Sequence, residues 1–590
     1  MTLDRMLERA GQSCPDKIAV QTIRRRLTYN ELNDQVSALA NSLLNLGIGR
    51  GDRVAMLLPK SIEAMIAFFA VIRAGGVIAP INMRLKADTL LANFSQLDPF
   101  AVIADPLYLP LLQKFFQKSQ PKGRIILTEA NKNQDYLSFE KLIEKESTSS
   151  PELDLNEKDV AYLNYTSGTT GIPKGAITTH GNLFWNTKGA VDLLKLNGED
   201  VHLCMFPIYA HPHEIFCRPV YLSGTIILLD SMYPKTIARA IQEFGVTTVM
   251  AVPPFFKSLF PLCKSKEFDF SSLRIPESGG VYSSEEFCRE FEDVFGVRFL
   301  PVWGSTETTG VALATPPEGE YTIGSLGKPC TGYEVKVLGT GGREVDINET
   351  GELVISGPGV VEGYFNLPEE TEATFHHGAW YTGDMVRQDE LGFYHFLGRR
   401  SGLMKVAGLK VYPLEVENAL MQHPDVEEAA VISLPDALRG EVPRAFVVPK
   451  ADAKLEVKEL RAFCREQLAD YKVPSRIEIH SELPKTETGK VSHAELARVA
   501  LSELADDEIK SIERRVASVD SKLLELLNAR VELMQRVAKL HGKMDQPLYS
   551  SLRGDDVIAR VIGENKGPIY DEAVEEIFKK ILSLDLMINR

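Results

Sequence analysis

Apolar residues in the first half of the chain fall into short runs set between helix-length segments. Residues 53–58 (Arg-Val-Ala-Met-Leu-Leu) make a strand-length run, 61–73 carry a helix, and after Gly75-Gly76 a second strand follows at 77–80. Similar strand signatures recur at 225–230 and 247–253. Strands alternating with helices predict an α/β protein whose partly parallel sheets are covered by helices. The pattern changes near the C-terminus. From Ile509 the apolar positions are Ile512, Val516, Val519, Leu523, Leu526, Leu533, Val537 and Leu540, in steps of three and four, with Arg530 where the seam expects another apolar residue. A helix of ~32 residues would be ~48 Å long. That length exceeds what a compact domain of this size holds by itself, so the helix is expected to lie along a partner subunit.

With 590 residues the chain is long enough for several domains. A hydrophobic fraction of 44% and a charged fraction of 25% place it among soluble globular proteins. The net charge of −15 argues against a nucleic-acid surface. The longest apolar stretch, 64–81, is broken by Arg73, Gly75 and Gly76, so no membrane span is expected. The N-terminus is mixed in charge and lacks the marks of a signal or transit peptide. Seven scattered cysteines without a Cys-x-x-Cys pair suggest reduced thiols and a cytoplasmic setting. His202, His211, His213 and Glu214 have the residue types of a zinc site. Pro212 between two of the histidines favours pocket lining or packing instead.

The stretch from Tyr165 to Lys174, Tyr-Thr-Ser-Gly-Thr-Thr-Gly-Ile-Pro-Lys, reads as a phosphate-handling loop. Gly168, Gly171 and Gly175 let backbone N–H groups approach an anion, and Thr166, Ser167, Thr169, Thr170 and Lys174 add donors. It is not the common P-loop, which ends in Gly-Lys-Ser/Thr. A hydroxyl-rich turn closing on Pro-Lys-Gly resembles the signature of the adenylate-forming superfamily, which includes acyl-CoA synthetases and adenylation enzymes. The resemblance covers about residues 1–500. It implies a large adenylating domain over 1–398, α/β in class, and a mobile small α+β domain over 399–500.

That resemblance carries roles to particular residues. Glu277-Ser-Gly-Gly280 would hold adenine through Gly279 and Gly280, beside Trp303. Thr306 would contact the α-phosphate region, and Glu307 would hold Mg²⁺ on the ATP, in keeping with the preference of magnesium for carboxylate and phosphate oxygens. Asp384, in Trp380-Tyr-Thr-Gly-Asp384, would bind the ribose hydroxyls together with Arg399. Lys405 is implied near the nucleotide, and Gly408 at the wall of a thiol tunnel. The acyl pocket is implied around Tyr209, His211, Val281 and Gly304. Lys490, closing Leu483-Pro-Lys-Thr-Glu-Thr-Gly-Lys490, matches the lysine that stabilises charge gathering between carboxylate and α-phosphorus. Ser401 departs from the family pattern, which has Asp or Lys at the pivot between the domains. The implied reaction activates a small carboxylic acid with ATP and passes the acyl group to a thiol. Coenzyme A is the first choice of acceptor and the phosphopantetheine of an acyl-carrier protein the alternative.

Residues 505–590 resemble the all-helical chorismate mutases. Arg530 and Arg553 match two of the cations that hold the substrate's carboxylates. Glu513 stands where an arginine is expected, His541 replaces a lysine, Ser550 and Gly554 replace acidic residues, and Asp585 and Asn589 replace a serine and a glutamine. Chorismate is a dianion, so Glu513 turns an attraction into a repulsion. The expected role of this domain is therefore homodimerisation or metabolite binding, ahead of a bifunctional ligase–mutase.

Overall fold

The computed structural model describes the chain except residues 84–86, 119–123, 130–135, 167–173, 340, 408, 437, 486–490, 543–550 and 589–590. Met1–Val491 forms one compact unit and Ser492–Arg590 another.

Among the described residues, two large sheets dominate the first unit. The nine-stranded sheet is parallel through its centre: Val201–Cys204 pairs with Thr248–Ala251, which pairs with Ile275–Ser278, which pairs with Leu300–Ser305. Gly310–Ala314 returns antiparallel to Leu300–Ser305 at one side. The seven-stranded sheet is parallel except for one hairpin, Val160–Thr166 with Lys174–Thr179. The expected strands are found at Arg53–Leu57 and Val77–Pro80. Those at Thr225–Ile227 and Thr248–Ala251 are shorter than the apolar runs that announced them.

Local signals explain the helix starts. The Ser61 hydroxyl accepts from the Ala64 N–H at 3.2 Å and opens the helix Ile62–Arg73. That helix is buried along its length except at Glu63, which pairs with Arg25, and its Phe68 packs against Tyr162 and Phe216. Its buried Arg73 donates to Ser37 Oγ at 2.7 Å and Asn33 Oδ1 at 2.9 Å. Burial costs least when the guanidinium has such acceptors.

A third sheet of five strands spans Glu334–Leu338 to Tyr394–Arg399 and is antiparallel. A fourth, from Met404–Val406 to Arg476–Ile479, carries the helices Pro413–Met421 and Val457–Gln467 on its own apolar core.

The second unit contains the helices His493–Gly542, Ser551–Glu564 and Asp571–Ile588. The first runs 50 residues, far beyond the ~32 read from the seam, and the boundary expected near 505 falls inside it. No Gly or Pro occurs between 491 and 541, so nothing in the sequence stops the helix before Gly542. The seam residues Ile509, Ile512, Val516, Val519, Leu523, Leu526, Leu533, Val537 and Leu540 are all exposed.

Candidate active site

Parallel strands send their carboxyl ends to one edge, where open α/β sheets place ligands. The loops leaving Val201–Cys204, Ile275–Ser278 and Leu300–Ser305 therefore gather together. They carry 205–211, 279–282 and 306–309, three of the stretches singled out in the sequence.

Thr306–Thr308 forms a single turn at the end of its strand. Gly304 and Gly310 make that turn possible. A Cβ on Gly304 would lie 2.4 Å from the Gly310 carbonyl oxygen, and Gly310 has φ +142°. Glu307 is buried, and its carboxylate is fixed by two hydroxyls: Tyr364 donates to Oε1 at 2.6 Å and Ser305 donates to Oε2. The Glu307 carbonyl accepts the Val361 N–H at 2.9 Å. Next to it, Gly363 and Phe365 hydrogen-bond to the strand Lys174–Thr179, and the Lys174 ammonium lies 5.3 Å from the centre of the Tyr364 ring. The lysine of the phosphate loop and the carboxylate implied for magnesium thus share Tyr364 as a neighbour. Burial and the adjacent Glu307 carboxylate both push the Tyr364 phenol up, so it stays a donor. The chemistry of this set, a fixed carboxylate and a lysine that share Tyr364 as a neighbour, fits a magnesium–phosphate group.

The expected ribose site is equally well ordered. The Trp303 indole N–H donates to Asp384 Oδ2 at 2.9 Å, and Arg399 Nε lies 2.5 Å from Oδ1, too poorly aligned for a hydrogen bond. Burial pushes the Asp384 carboxyl up, against the opposing pull of Arg399 and Trp303. Glu352 accepts from the Gly383 N–H at 3.1 Å and from Arg400 at 2.7 Å, which ties the segment expected to be the hinge to this strand.

In the stretch expected to wall the acyl pocket, the ring centres of Phe206 and His211 are 4.7 Å apart. Phe206 also faces Gly280, with 3.9 Å to the position a Cβ would take there. Val281 and Tyr209 are half-buried. Behind His211 runs a buried charged chain. Glu214 Oε2 lies 2.5 Å from His211 Nδ1, and Arg218 donates to Glu277 at 2.8 Å while standing 3.6 Å from Glu214. Burial pushes the Glu214 carboxyl up, but His211 and His213 more than offset it and hold it well below the usual range. Burial dominates at Glu277, whose carboxyl is pushed up despite Arg218.

Of the remaining expected residues, Lys405 is exposed on the small sheet, where its backbone N–H donates to Glu441 at 2.6 Å. Ser167, Gly168, Thr169, Thr170, Gly171, Gly408 and Lys490 lie outside the described residues, as does the side chain of Thr166. Arg530 is half-buried on the long helix, and Arg553 belongs to Ser551–Glu564. Of the four residues with zinc-site chemistry, His211 and His213 stay beside Glu214 while His202 pairs with Thr248 at 3.0 Å, and among the described residues no three His, Cys, Asp or Glu side chains are placed to hold a metal. Tyr364, Arg218, the bond from Ser305 to Glu307 and the link from Glu214 to His211 were not foreseen. Tyr364 is 57 residues from Glu307, and no local motif marks it.

Residues 7–365 match the family model of the AMP-binding enzymes, 415–490 match the C-terminal domain of the same enzymes, and 512–587 match chorismate mutase type II. The chain is 33% identical to a feruloyl-CoA synthase of an Amycolatopsis species, over 83% of this chain and 97% of that protein. It is 30% identical to a long-chain-fatty-acid–CoA ligase of Bacillus subtilis, over 83% and 93% respectively. Among solved structures, an anthranilate CoA ligase in complex with anthranoyl-AMP superimposes with a TM-score of 0.79 at 28% identity, covering 86% of this chain and 98% of that one. ATP-bound MatB from Rhodopseudomonas palustris gives a TM-score of 0.78 at 29% identity, covering 85% and 99%. With Glu307, Asp384 and the strand ends gathered as described, the chain belongs to the AMP-binding enzymes and is an AMP-forming acid–thiol ligase of the acyl-CoA synthetase type.

Proposed function

We propose that the protein converts a small carboxylic acid and ATP·Mg²⁺ to an acyl-adenylate and then to the thioester of coenzyme A. A carboxylate oxygen of the acid attacks the α-phosphorus, and pyrophosphate leaves. Glu307, held by Tyr364 and Ser305, would carry the magnesium, which supplies charge neutralisation on the phosphates. Lys174, against the Tyr364 ring, would face the phosphates, Asp384 with Trp303 and Arg399 would take the ribose, and Lys490 would reach the reacting oxygens. The observation that carries the reading is the fixed carboxylate of Glu307, buried with a donor on each oxygen at the end of the adenylating strand. Acids accepted by the relatives, ferulate and anthranilate among them, set the first panel to test. Pyrophosphate release that needs one acid of that panel, followed by CoA-dependent thioester formation, is the expected result. Pyrophosphate release without thioester would assign the acceptor to a carrier protein.

The helical unit would pair two ligases. Its support is the exposed seam from Ile509 to Leu540, whose apolar side chains have a large incentive to leave water. Sedimentation of the whole chain should give a dimer, and removal of 505–590 should give an active monomer.

A further inference from the structure

His211 occupies the N-cap of the helix Pro212–Leu222 but makes no capping hydrogen bond with its side chain. Its Nδ1 is instead committed to Glu214, and a third of its side chain remains exposed at the acyl wall while that of Glu214 is 1% exposed. A buried carboxylate is costly unless paired. Arg218 is near, yet its short hydrogen bond goes to Glu277, and its Nε and Nη2 make none. His213 Nε2 stands 3.7 Å from Glu214 Oε1 and adds to its pairing, but burial pushes that ring towards neutrality and its Nδ1 hydrogen-bonds Tyr162 at 2.9 Å. His211 is therefore the group to which Glu214 is addressed. A carboxylate accepting Nδ1–H fixes the imidazole tautomer and directs the basic Nε2 outward.

The pair also lies against the adenylating turn. A Cβ on Gly310 would meet Glu214 Oε1 at 2.8 Å and His213 Nε2 at 2.3 Å. Gly310 follows Thr306–Thr308 by two residues, so the carboxylate that orients His211 abuts the segment that would hold the acyl-adenylate. A buried carboxylate, an imidazole oriented by it and a reacting centre alongside make up the arrangement by which a weakly acidic nucleophile is activated.

Resting on the ligase reading above, we propose that His211, positioned by Glu214, is the general base of the second half-reaction. Nε2 takes the proton of the incoming CoA thiol as sulfur bonds to the acyl carbon. The bond from that carbon to the adenylate oxygen breaks, and AMP leaves with the electron pair on its phosphate. The imidazolium then gives its proton to water. Glu214 is a positioning residue: its negative charge stabilises the imidazolium as it forms.

The test is single-turnover transfer. Enzyme is loaded with acid, ATP and pyrophosphatase, mixed with CoA, and thioester is followed from pH 6.5 to 9.5, with adenylation measured separately by ATP–pyrophosphate exchange. His211→Gln is expected to slow transfer about a hundredfold near neutrality, the lower range for losing a general base. The deficit should shrink about tenfold per pH unit up to ~8.5, where a thiol ionises without help. Glu214→Gln, close to isosteric, should show the same pH-dependent deficit in smaller degree. Both variants should lose more in transfer than in exchange. Loss confined to the KM for the acid in exchange would overturn the proposal and make His211 an acid-binding group. Equal losses in both half-reactions at every pH would overturn it too and assign a packing role. Failure of the unaltered protein to form any acyl-adenylate or thioester would instead sink the ligase reading itself.

Discussion

Tyr364→Phe isolates one hydrogen bond at the centre of the site. The ring stays, and with it the surface that Lys174 faces at 5.3 Å; only the hydroxyl that donates to Glu307 Oε1 at 2.6 Å is removed. Tyr364 is 7% exposed, as is Glu307, so bulk water replaces the donor poorly. Hydrogen bonds to charged groups are worth about 1.5–3 kcal/mol. At about 1.36 kcal/mol per decade, full loss in the transition state corresponds to a fall of about 10- to 150-fold in kcat/KM for MgATP. Ser305 still holds the other oxygen, so the carboxylate is loosened rather than released. ATP–pyrophosphate exchange at several magnesium concentrations reads the effect. The loss should appear in the MgATP and magnesium dependences, with the KM of the acid little changed. Unaltered exchange, or a loss carried by the acid KM alone, would refute the assignment of Glu307 to the metal–phosphate side.

Other perturbations reach different parts of the account. Arg218→Leu leaves Glu214 and Glu277 buried without their shared cation and should cost about 3–5 kcal/mol in urea unfolding. His202 is pushed down to about 4 by burial, so between that value and the ordinary ~6.5 the unfolded chain binds the extra proton. Stability from this group is complete above pH 6.5 and declines as pH falls towards 4, and His202→Asn should flatten that part of a denaturation-versus-pH curve. Asp384→Asn keeps an acceptor for Trp303 but removes the charge facing Arg399. Kinetics should show a higher KM for ATP by about tenfold, the weight of one charge-assisted hydrogen bond. Chorismate incubated with the whole protein should yield no prephenate, because Glu513 opposes a dianion; steady prephenate formation would contradict that argument.

The sequence announced what repeats locally and concealed what is assembled at a distance. Apolar runs marked the strands Arg53–Leu57 and Val77–Pro80, and Ser61 marked a helix start, because period and capping are properties of neighbouring residues. Trp303, Glu307 and Asp384 stood out through motif resemblance, and the structure gathers them at one edge. Tyr364 did not stand out, since its value lies in reaching Glu307 and its surroundings in sequence carry no sign of it. The pairing of His211 with Glu214 was visible as a spacing of three on a helix start but was read as pocket lining or packing, ahead of a zinc site. Only the burial of Glu214, and the commitment of Arg218 to Glu277, separates the two readings. The length of His493–Gly542 was underestimated because the seam was followed only where it was apolar, while helix formers without a breaker extend it to 50 residues.

The central claim is that the chain makes acyl-adenylate in the site built around Glu307 and carries it to a thioester. Pyrophosphate release should be measured across a panel of aromatic, short aliphatic and dicarboxylic acids, with and without CoA, for the unaltered protein and for Lys490→Ala. An ammonium ~4 Å from the developing charge contributes about 4 kcal/mol at an effective dielectric near 20. The account therefore predicts one acid that drives release, a thioester when CoA is present, and a loss of about a thousandfold in the variant. Release that ignores the identity of the acid, or survives the loss of Lys490 undiminished, would contradict it.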